Sequence, residues 1–200
     1  EDGLKYMVRA IESAGYSVEE MGIAMDVAAT EFHKEDGYHM DGKVLSSEEL
    51  ANVYSGWLDD YPILSIEDGF GEDDWRGWTN FTKREGHRVQ SVGDDLFVTQ
   101  SERLAQGIEL GAANAMLVKL NQVGTVTETL EAMDLASSNG FNNVISHRSG
   151  ETEDVTIADL AVGTRAGQIK TGAPARSDRV AKYNQLLRIS ADVDEYRSPF

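Results

Sequence analysis

The run Ala115-Met116-Leu117-Val118-Lys119 decides the fold, because an apolar strand ends there in a residue that can do chemistry. Five other short apolar runs end in the same way, in the polar residues Asp26, Glu67, Asp94, His147 and Lys170. A parallel barrel gathers the carboxyl ends of its strands on one face. We therefore expect these side chains, which are far apart in the sequence, to converge on one small volume.

Segments with helical periodicity lie between these runs and carry start and stop signals. Ser46-x-x-Glu49 and Thr125-x-x-Glu128 are capping boxes, each just before an apolar helical pattern. Gly15 and Gly140 follow two of the helical segments and predict where they end. One strand and one helix together take about 29 residues, close to the roughly 31 of an eight-unit barrel of ~250 residues. The pattern therefore predicts a βα repeat.

The predicted fold class is α/β, a (β/α) TIM-type barrel of which about six βα units are present. Six parallel strands do not close an eight-stranded barrel, and an open version leaves two unpaired edges in a core that should be continuous. We therefore expect an incomplete barrel. The alternative is an open doubly wound α/β sheet, which can stop at six strands. Against it, no glycine-rich phosphate loop follows the first strand, and polar residues end every strand instead of clustering at one switch point.

Composition narrows the classes of function. The chain has 200 residues, of which 40% are hydrophobic and 8% aromatic, as is ordinary for a globular protein. Cysteine is absent, so neither a disulfide nor a thiolate metal site can form within the chain. The formal net charge of −17 argues against nucleic acid and against anionic membrane surfaces as partners. No membrane-length apolar run and no signal-peptide pattern is present, so we expect a cytoplasmic protein.

The excess of acidic residues also bears on habitat. Runs such as Asp59-Asp60 and Glu72-Asp73-Asp74 resemble the surfaces of proteins from high-salt cytoplasm, where screening relieves the repulsion between like charges. We hypothesise that the protein is halophilic. An ordinary acidic surface is the alternative.

Three of the strand-end residues, Asp26, Glu67 and Asp94, are carboxylates on successive strands. Their hard oxygen ligands suit Mg²⁺ better than zinc or copper. A single Asp at a strand end is more often a helix cap or a solvated loop residue, and Asp68 and Asp95 illustrate how common acids are in this chain. Three carboxylates on consecutive strands nevertheless predict a Mg²⁺ site. The histidines in polar, loop-like stretches are expected at the surface and not as ligands: His33, His39 and His87.

Lys119 lies between Val118 and Leu120 in an apolar setting. An unpaired lysine is rarely fully buried, because removing its ammonium group from water is costly. One interpretation is a structural salt bridge. If a divalent cation and Lys170 lie nearby, however, both favour the neutral amine, which can act as a general base. Lys119 is therefore the candidate catalytic base.

Ser146-His147-Arg148-Ser149-Gly150 places an imidazole, a guanidinium and hydroxyl groups in one tight loop. Arg148 can bind a phosphate through two hydrogen bonds, and Ser146, Ser149 and backbone N–H groups can complete the site. The alternative is that Arg148 pairs with the acids that follow it. Lys170 could pair with a substrate carboxylate, although a strand-end lysine alone is more often a surface ion-pair partner.

With these residues assembled, the chain resembles the enolase family, the phosphopyruvate hydratases of glycolysis, over nearly its whole length. Segments that carry the resemblance are Ile23–Phe32, Ser65–Gly69, Val92–Leu96, Lys119–Thr125, Ser146–Thr152 and Gln168–Pro174. The resemblance implies that Asp26, Glu67 and Asp94 bind the Mg²⁺ that holds the substrate carboxylate. It also implies that Lys119 removes the C2 proton of 2-phosphoglycerate, that Ser146 to Ser149 hold the phosphate, and that Lys170 lies at the carboxylate. The implied enzyme is a lyase that reversibly dehydrates 2-phosphoglycerate to phosphoenolpyruvate.

Enolases also carry an amino-terminal capping domain and first barrel strands, which supply the acid for the leaving hydroxyl. No matching segment is found here, so we expect residues 1–200 to be the carboxy-terminal part of the barrel domain, nearly inactive by itself. The resemblance further implies a homodimer or a larger homo-oligomer. Two alternatives stay open: another enolase-superfamily enzyme acting on a carboxylate substrate, and a noncatalytic binding or scaffold protein, which would allow a secondary location at the cell surface.

Overall fold

The computed structural model describes residues 1–193 and residue 200. The chain forms two compact units, Glu1–Leu96 with Ala105–Asn114, and Phe97–Leu104 with Ala115–Phe200. Each unit contains three neighbouring parallel strands, and helices connect these strands along the chain. None of the helices in the described part of the chain is both long enough and apolar enough to cross a membrane.

The first unit contains α1 (Asp2–Ser13), β1 (Ile23–Asp26), a 3₁₀ turn (Ala29–Phe32), β2 (His33–Lys34), β3 (Gly37–Met40), β4 (Lys43–Leu45), α2 (Ser47–Asp60), β5 (Ile63–Glu67), α3 (Trp75–Glu85) and β6 (Gln90–Gly93). Strand β5 lies between β1 and β6 and pairs in parallel with both. The apolar runs that end at Asp26, Glu67 and Asp94 therefore form strands, as predicted.

An aromatic cluster fills the core of the first unit. Its buried rings have centroids 5.6–6.0 Å apart and belong to Tyr54, Phe70, Trp78 and Phe81. The indole N–H of Trp78 donates to the carbonyl of Gly71 at 3.1 Å. Because α2 and α3 supply three of these rings, the cluster holds both helices against the loop that follows β5.

A small antiparallel sheet of β2, β3 and β4 was not predicted. Its second hairpin turns at Asp41 and Gly42, both in the left-handed region at φ 50° and 74°. An Asp-Gly pair is a strong hairpin signal, so the cue was present in the sequence. Tyr38 of β3 is buried, and its hydroxyl donates to Asp74 Oδ2 at 2.6 Å. This bond ties the small sheet to the first turn of α3.

The second unit contains β7 (Ala115–Val118), α5 (Leu120–Val123), α6 (Val126–Ser138), β8 (Asn142–Ser146), α7 (Thr156–Gly163), β9 (Gln168–Lys170) and α8 (Ser177–Ser190), and α4 (Ser101–Leu110) is divided between the two units. Strand β8 lies between β7 and β9 and pairs in parallel with both. All four residues of β7 are buried. The buried residues of α6 are Thr129, Ala132, Met133 and Ala136.

Both predicted capping residues lie at helix starts, but only Ser46 and Glu49 form both bonds of a capping box. Ser46 precedes α2, its hydroxyl accepts the N–H of Glu49 at 3.3 Å, and Glu49 accepts the N–H of Ser46 at 2.8 Å. Thr125 precedes α6, and its hydroxyl accepts the N–H of Glu128 at 3.2 Å. These local bonds fix where each helix begins relative to the strand before it.

Candidate functional site

Asp26 and Glu67 are the last residues of β1 and β5 and are register partners in the parallel pair. Pairing continues past the strand ends, because the N–H of Val27 donates to the carbonyl of Glu67 at 2.9 Å. Ala28 then adopts a left-handed φ of 47°, which turns the chain. Glu67 is buried and Asp26 is exposed. Asp94 directly follows β6 and is buried, so all three predicted Mg²⁺ ligands lie at neighbouring strand ends.

Asp68 links the loop after β5 to the loop after β6. Its Oδ1 accepts the N–H of Asp94 at 2.8 Å, and its Oδ2 accepts the N–H of Asp95 at 3.0 Å. The N–H of Asp68 itself donates to the carbonyl of Val92 at 3.0 Å. Burial raises the pKa of Asp68 to about 7, although the two N–H groups oppose the shift. Asp68 therefore positions Asp94, a role that sequence reasoning missed.

Three acidic side chains in the described part of the chain bring ligand atoms within 4.8 Å of one another: Asp68, Asp94 and Asp95. The predicted Mg²⁺ ligands share only Asp94 with this group, so the predicted set stays a prediction. Both sets offer carboxylate oxygens, which are the donors that Mg²⁺ prefers. The donor chemistry of this strand edge therefore fits the predicted cofactor.

Lys119 directly follows β7 and is partly buried. Its backbone N–H donates to the hydroxyl of Thr99 at 3.0 Å, and that hydroxyl donates to Gln122 Oε1 at 2.6 Å. Thr99 is fully buried and, with Val98, adopts a left-handed φ, at 56° and 44°. This conformation is rare for β-branched residues and concentrates at functional sites. Thr99 therefore fixes the backbone of Lys119. No local sequence signal predicted this role of Thr99.

The predicted anion-binding loop begins at the end of β8. Ser146 is the last residue of this strand and the register partner of Lys170, the last residue of β9. The N–H of His147 donates to the carbonyl of Lys170 at 2.9 Å. The guanidinium of Arg148 donates to Asn121 Oδ1 at 2.7 Å. Ser146 is buried, whereas Arg148 and Ser149 are exposed, so two neighbouring strand ends gather imidazole, guanidinium, hydroxyl and ammonium groups.

Helix α8 supplies two buried cations that sequence reasoning missed, Arg179 and Lys182. Glu151, the first of the acids that follow Arg148, forms an ion pair with Lys182 at 2.8 Å. Glu151 also accepts the backbone N–H of Arg148 at 3.0 Å. Cations in a helix are expected at its exposed face, so only the packing of α8 reveals these two.

A family model described as "Enolase, C-terminal TIM barrel domain" matches residues 1–198. The chain belongs to the enolase family. The resemblance stated from the strand-end motifs is thereby confirmed, and so is the fold class, a TIM-type barrel of the enolase superfamily.

Curated relatives named "Enolase" support the same family. The protein from Kineococcus radiotolerans is 57% identical over 195 residues, which are 97% of this chain and 45% of the relative. The protein from Natranaerobius thermophilus is 55% identical over 195 residues, which are 96% of this chain and 46% of the relative. The chain therefore spans about half the length of the enolases that it matches.

Proposed function

We propose that the complete protein containing this chain reversibly dehydrates 2-phosphoglycerate to phosphoenolpyruvate. The observation that carries the proposal is the cluster at the ends of β8 and β9, where Ser146 and Lys170 are register partners and His147 and Arg148 follow. Hydroxyl, imidazole, guanidinium and ammonium groups together suit an anion that bears both a phosphate and a carboxylate. The name of the two curated relatives, "Enolase", supports the same reaction.

In this proposal Lys119 takes the proton from C2 of the substrate, and the electron pair of the C2–H bond forms the C2–C3 double bond. The C3–O bond breaks, and the hydroxyl leaves as water after it takes a proton from an acid that the rest of the complete protein supplies. A proton beside a carboxylate is very weakly acidic, because its removal adds charge to a group that is already negative. The base must therefore be held in place before the substrate arrives. The bond from Lys119 N–H to the buried Thr99 supports that role.

We propose Asp26, Glu67 and Asp94 as the residues that hold Mg²⁺, with Asp68 positioning Asp94. The supporting observations are their neighbouring strand ends and the carboxylate oxygens gathered around Asp94. Bound Mg²⁺ would supply positive charge to the substrate carboxylate as the C2 proton leaves. Lys170, the other proposed neighbour of that carboxylate, would act in the same direction.

The test uses the purified complete gene product. We expect turnover of 2-phosphoglycerate, followed by the ultraviolet absorbance of phosphoenolpyruvate, and loss of turnover when EDTA removes Mg²⁺. Unphosphorylated 2-hydroxy acids should not react. Turnover of those acids instead would identify another enolase-superfamily enzyme. A folded protein that turns over neither class of substrate would identify a noncatalytic binding or scaffold protein.

We also propose that the complete protein is a homodimer or a larger homo-oligomer that works in the cytoplasm, where glycolytic intermediates occur. Membership of the enolase family supports both statements. Light scattering during size-exclusion chromatography should give at least twice the monomer mass, and cell fractionation should leave the protein with cytoplasmic markers. A monomeric mass would contradict the first statement, and enrichment in the envelope fraction would contradict the second.

We further propose that the protein is adapted to high salt. The support is the formal net charge of −17, carried by 35 acidic and 18 basic residues. Salt screens repulsion among surface charges, so unfolding in urea should require more denaturant in molar KCl than at low salt. Equal stability in both conditions would contradict the proposal.

A further inference from the structure

Two long cationic side chains of α8 are buried in the second unit. Arg179 is 9% exposed and Lys182 is 1% exposed. Lysine and arginine are almost never buried to this extent unless they are paired. A spacing of three residues places both on the same face of the helix. Their partners therefore explain why they are buried.

Arg179 contacts three consecutive residues of the loop after β8. Its Nη1 lies 2.6 Å from His147 Nδ1 and donates to the carbonyl of Arg148 at 2.8 Å. Its Nη2 donates to the carbonyl of Ser149 at 2.8 Å. A single planar guanidinium thus fixes the backbone of the loop at two successive carbonyls and the imidazole at one nitrogen.

The contact with His147 also determines where the ring carries its proton. A guanidinium has only donors, so His147 Nδ1 must accept the bond from Arg179. A neutral ring in this position carries its proton on Nε2. Burial first, and then the positive charges of Arg179, Lys170 and Lys182, lower the pKa of His147, with Glu151 acting in the opposite direction. Both effects favour a neutral ring that donates from Nε2.

Tight packing restrains the side chain of Arg179. Gly172 has a left-handed φ of 85°, and a Cβ there would lie 3.0 Å from Arg179 Cδ and 3.2 Å from His147 Cε1. Asp178 Oδ2 lies 3.3 Å from Arg179 Nε. The hydroxyl of Tyr183 donates to the carbonyl of Gly172, which ties that glycine to α8. The aliphatic part of the Arg179 side chain and its guanidinium are therefore both restrained.

Lys182 contacts the next part of the same loop, at Glu151 and Thr152. Its three donors reach Glu151 Oε2 at 2.8 Å, the carbonyl of Thr152 at 2.5 Å and the carbonyl of Asp178 at 2.7 Å. Glu151 in turn accepts the N–H of Arg148 through its other oxygen. The loop is therefore connected to α8 at two independent points.

We propose that Arg179 is a positioning residue of the loop after β8. Arg179 holds His147 as the Nε2–H tautomer and fixes the backbone of Arg148 and Ser149. This inference rests on the proposed function, because it takes the loop to be the one that binds the substrate phosphate. Arg179 does not touch the substrate in this proposal. It occupies acceptors of the loop that would otherwise repel an anion.

The first test needs no substrate. In the complete protein with ¹⁵N-labelled histidine, the resonances of His147 are assigned with His147→Asn. The wild type should show a neutral ring with its proton on Nε2. Arg179→Met should raise the pKa of His147, because a positive charge beside Nδ1 is lost. Arg179→Lys should leave that pKa low. Arg188→Met is the matched control, because Arg188 is an exposed arginine of the same helix and bonds to Gln185.

The second test measures turnover of 2-phosphoglycerate. Arg179→Met should raise KM roughly 10- to 100-fold, a size taken from the loss of residues that orient metal ligands. The effect on kcat should be smaller, because phosphate binding is shared by ground state and transition state. Arg179→Lys should restore part of KM, and Arg188→Met should match the wild type.

The outcomes separate this inference from the proposed function. A wild type that does not turn over 2-phosphoglycerate overturns the proposed function, and the inference with it, whatever the spectra show. An active wild type whose KM and His147 spectra are unchanged in Arg179→Met overturns the inference alone. If Arg179→Met does not fold, Arg179→Lys decides, because a KM equal to that of the wild type overturns the inference and a raised KM supports it.

Discussion

The strand ends of the two units carry different kinds of side chain although both units follow the same βα plan. In the first unit they are the carboxylates Asp26, Glu67 and Asp94, and in the second unit Lys119, His147 and Lys170. The way each set is held also differs. Backbone N–H groups donate to the buried Asp68 in the first unit, whereas buried cations of α8 donate to loop carbonyls in the second.

The difference shows how one architecture can prepare sites for ligands of opposite charge. The first unit gathers acceptors at its strand ends, which suit a cation, and Asp68 keeps the loop that carries Asp94 in place. In the second unit, Arg179 and Lys182 occupy the acceptors of the loop around Arg148. A loop whose carbonyl and carboxylate oxygens already accept hydrogen bonds from α8 is suited to bind an anion.

Substitutions at the two kinds of strand end should separate base chemistry from metal dependence. Lys119→Met in the complete protein should lower kcat by about 10²–10⁴-fold, because a general base is lost, and leave the Mg²⁺ concentration for half-maximal activity unchanged. Asp94→Asn should raise that Mg²⁺ concentration. Steady-state turnover across a Mg²⁺ titration measures both effects.

Lys83→Met is the control for these two substitutions, because Lys83 is an exposed lysine of α3. If Lys119→Met shifted the Mg²⁺ dependence as strongly as Asp94→Asn, the assignment of separate roles to the two units would be wrong.

The second expected effect concerns stability in the second unit. Lys182→Met should lower the free energy of unfolding by about 3 kcal/mol, because it leaves Glu151 without its buried partner. Urea unfolding of the complete protein measures this loss. Adding Glu151→Gln should recover part of it, since the uncompensated charge is then removed. If the double variant Lys182→Met/Glu151→Gln were less stable than Lys182→Met, this account of the Lys182–Glu151 pair would be wrong.

Glu85 is a buried carboxylate of the first unit that joins α3 to α2. Glu85 accepts hydrogen bonds from Ser55 at 2.5 Å and from Arg88 at 2.7 Å. Burial alone would raise the pKa of Glu85, but these bonds hold it below its ordinary value of 4.5. Glu85→Gln should lower the free energy of unfolding by about 1–2 kcal/mol at pH 7, because bonds to a charged acceptor are weakened.

The effect of Glu85→Gln should depend on pH in a stated direction. Because the folded state has the lower pKa, the stabilisation is present above the unfolded value near 4.5 and is lost as the pH falls through the folded value. Urea unfolding between pH 7 and acid pH should show the difference between wild type and Glu85→Gln shrinking below about pH 4.5. A difference that grew on acidification would refute the assignment.

The smallest expected effect compares the two helix caps. Ser46→Ala in the first unit and Thr125→Ala in the second should each lower the free energy of unfolding by about 1 kcal/mol, because a side-chain acceptor for a helix N–H is lost. Ser190→Ala at the end of α8 is the control, since it removes no N-cap. Equal stability of all the variants would show that neither cap contributes.

Local signals predicted the elements well, for a physical reason. The runs ending at Glu67 and Lys119 became strands, and Ser46 and Thr125 became N-caps, because periodicity and capping depend on residues a few positions apart. The hairpin at Asp41 and Gly42 carried a signal just as local and was overlooked.

The residues that support the strand ends could not be predicted in the same way. Asp68 is one of many acids in an acidic chain, and its role depends on N–H groups 26 and 27 positions away. Thr99 lies 20 positions before Lys119, and Arg179 lies 32 positions after His147. Such pairings arise only when strands and helices pack.

The sequence by itself determined the family, the alternation of strands and helices, and the type of side chain at each strand end, because these depend on short motifs and local periodicity. Only the tertiary structure decided which side chains hold those strand ends in place. Burial made Asp68, Arg179 and Lys182 partners of distant backbone groups, since a buried charge must find hydrogen bonds wherever the packing brings them.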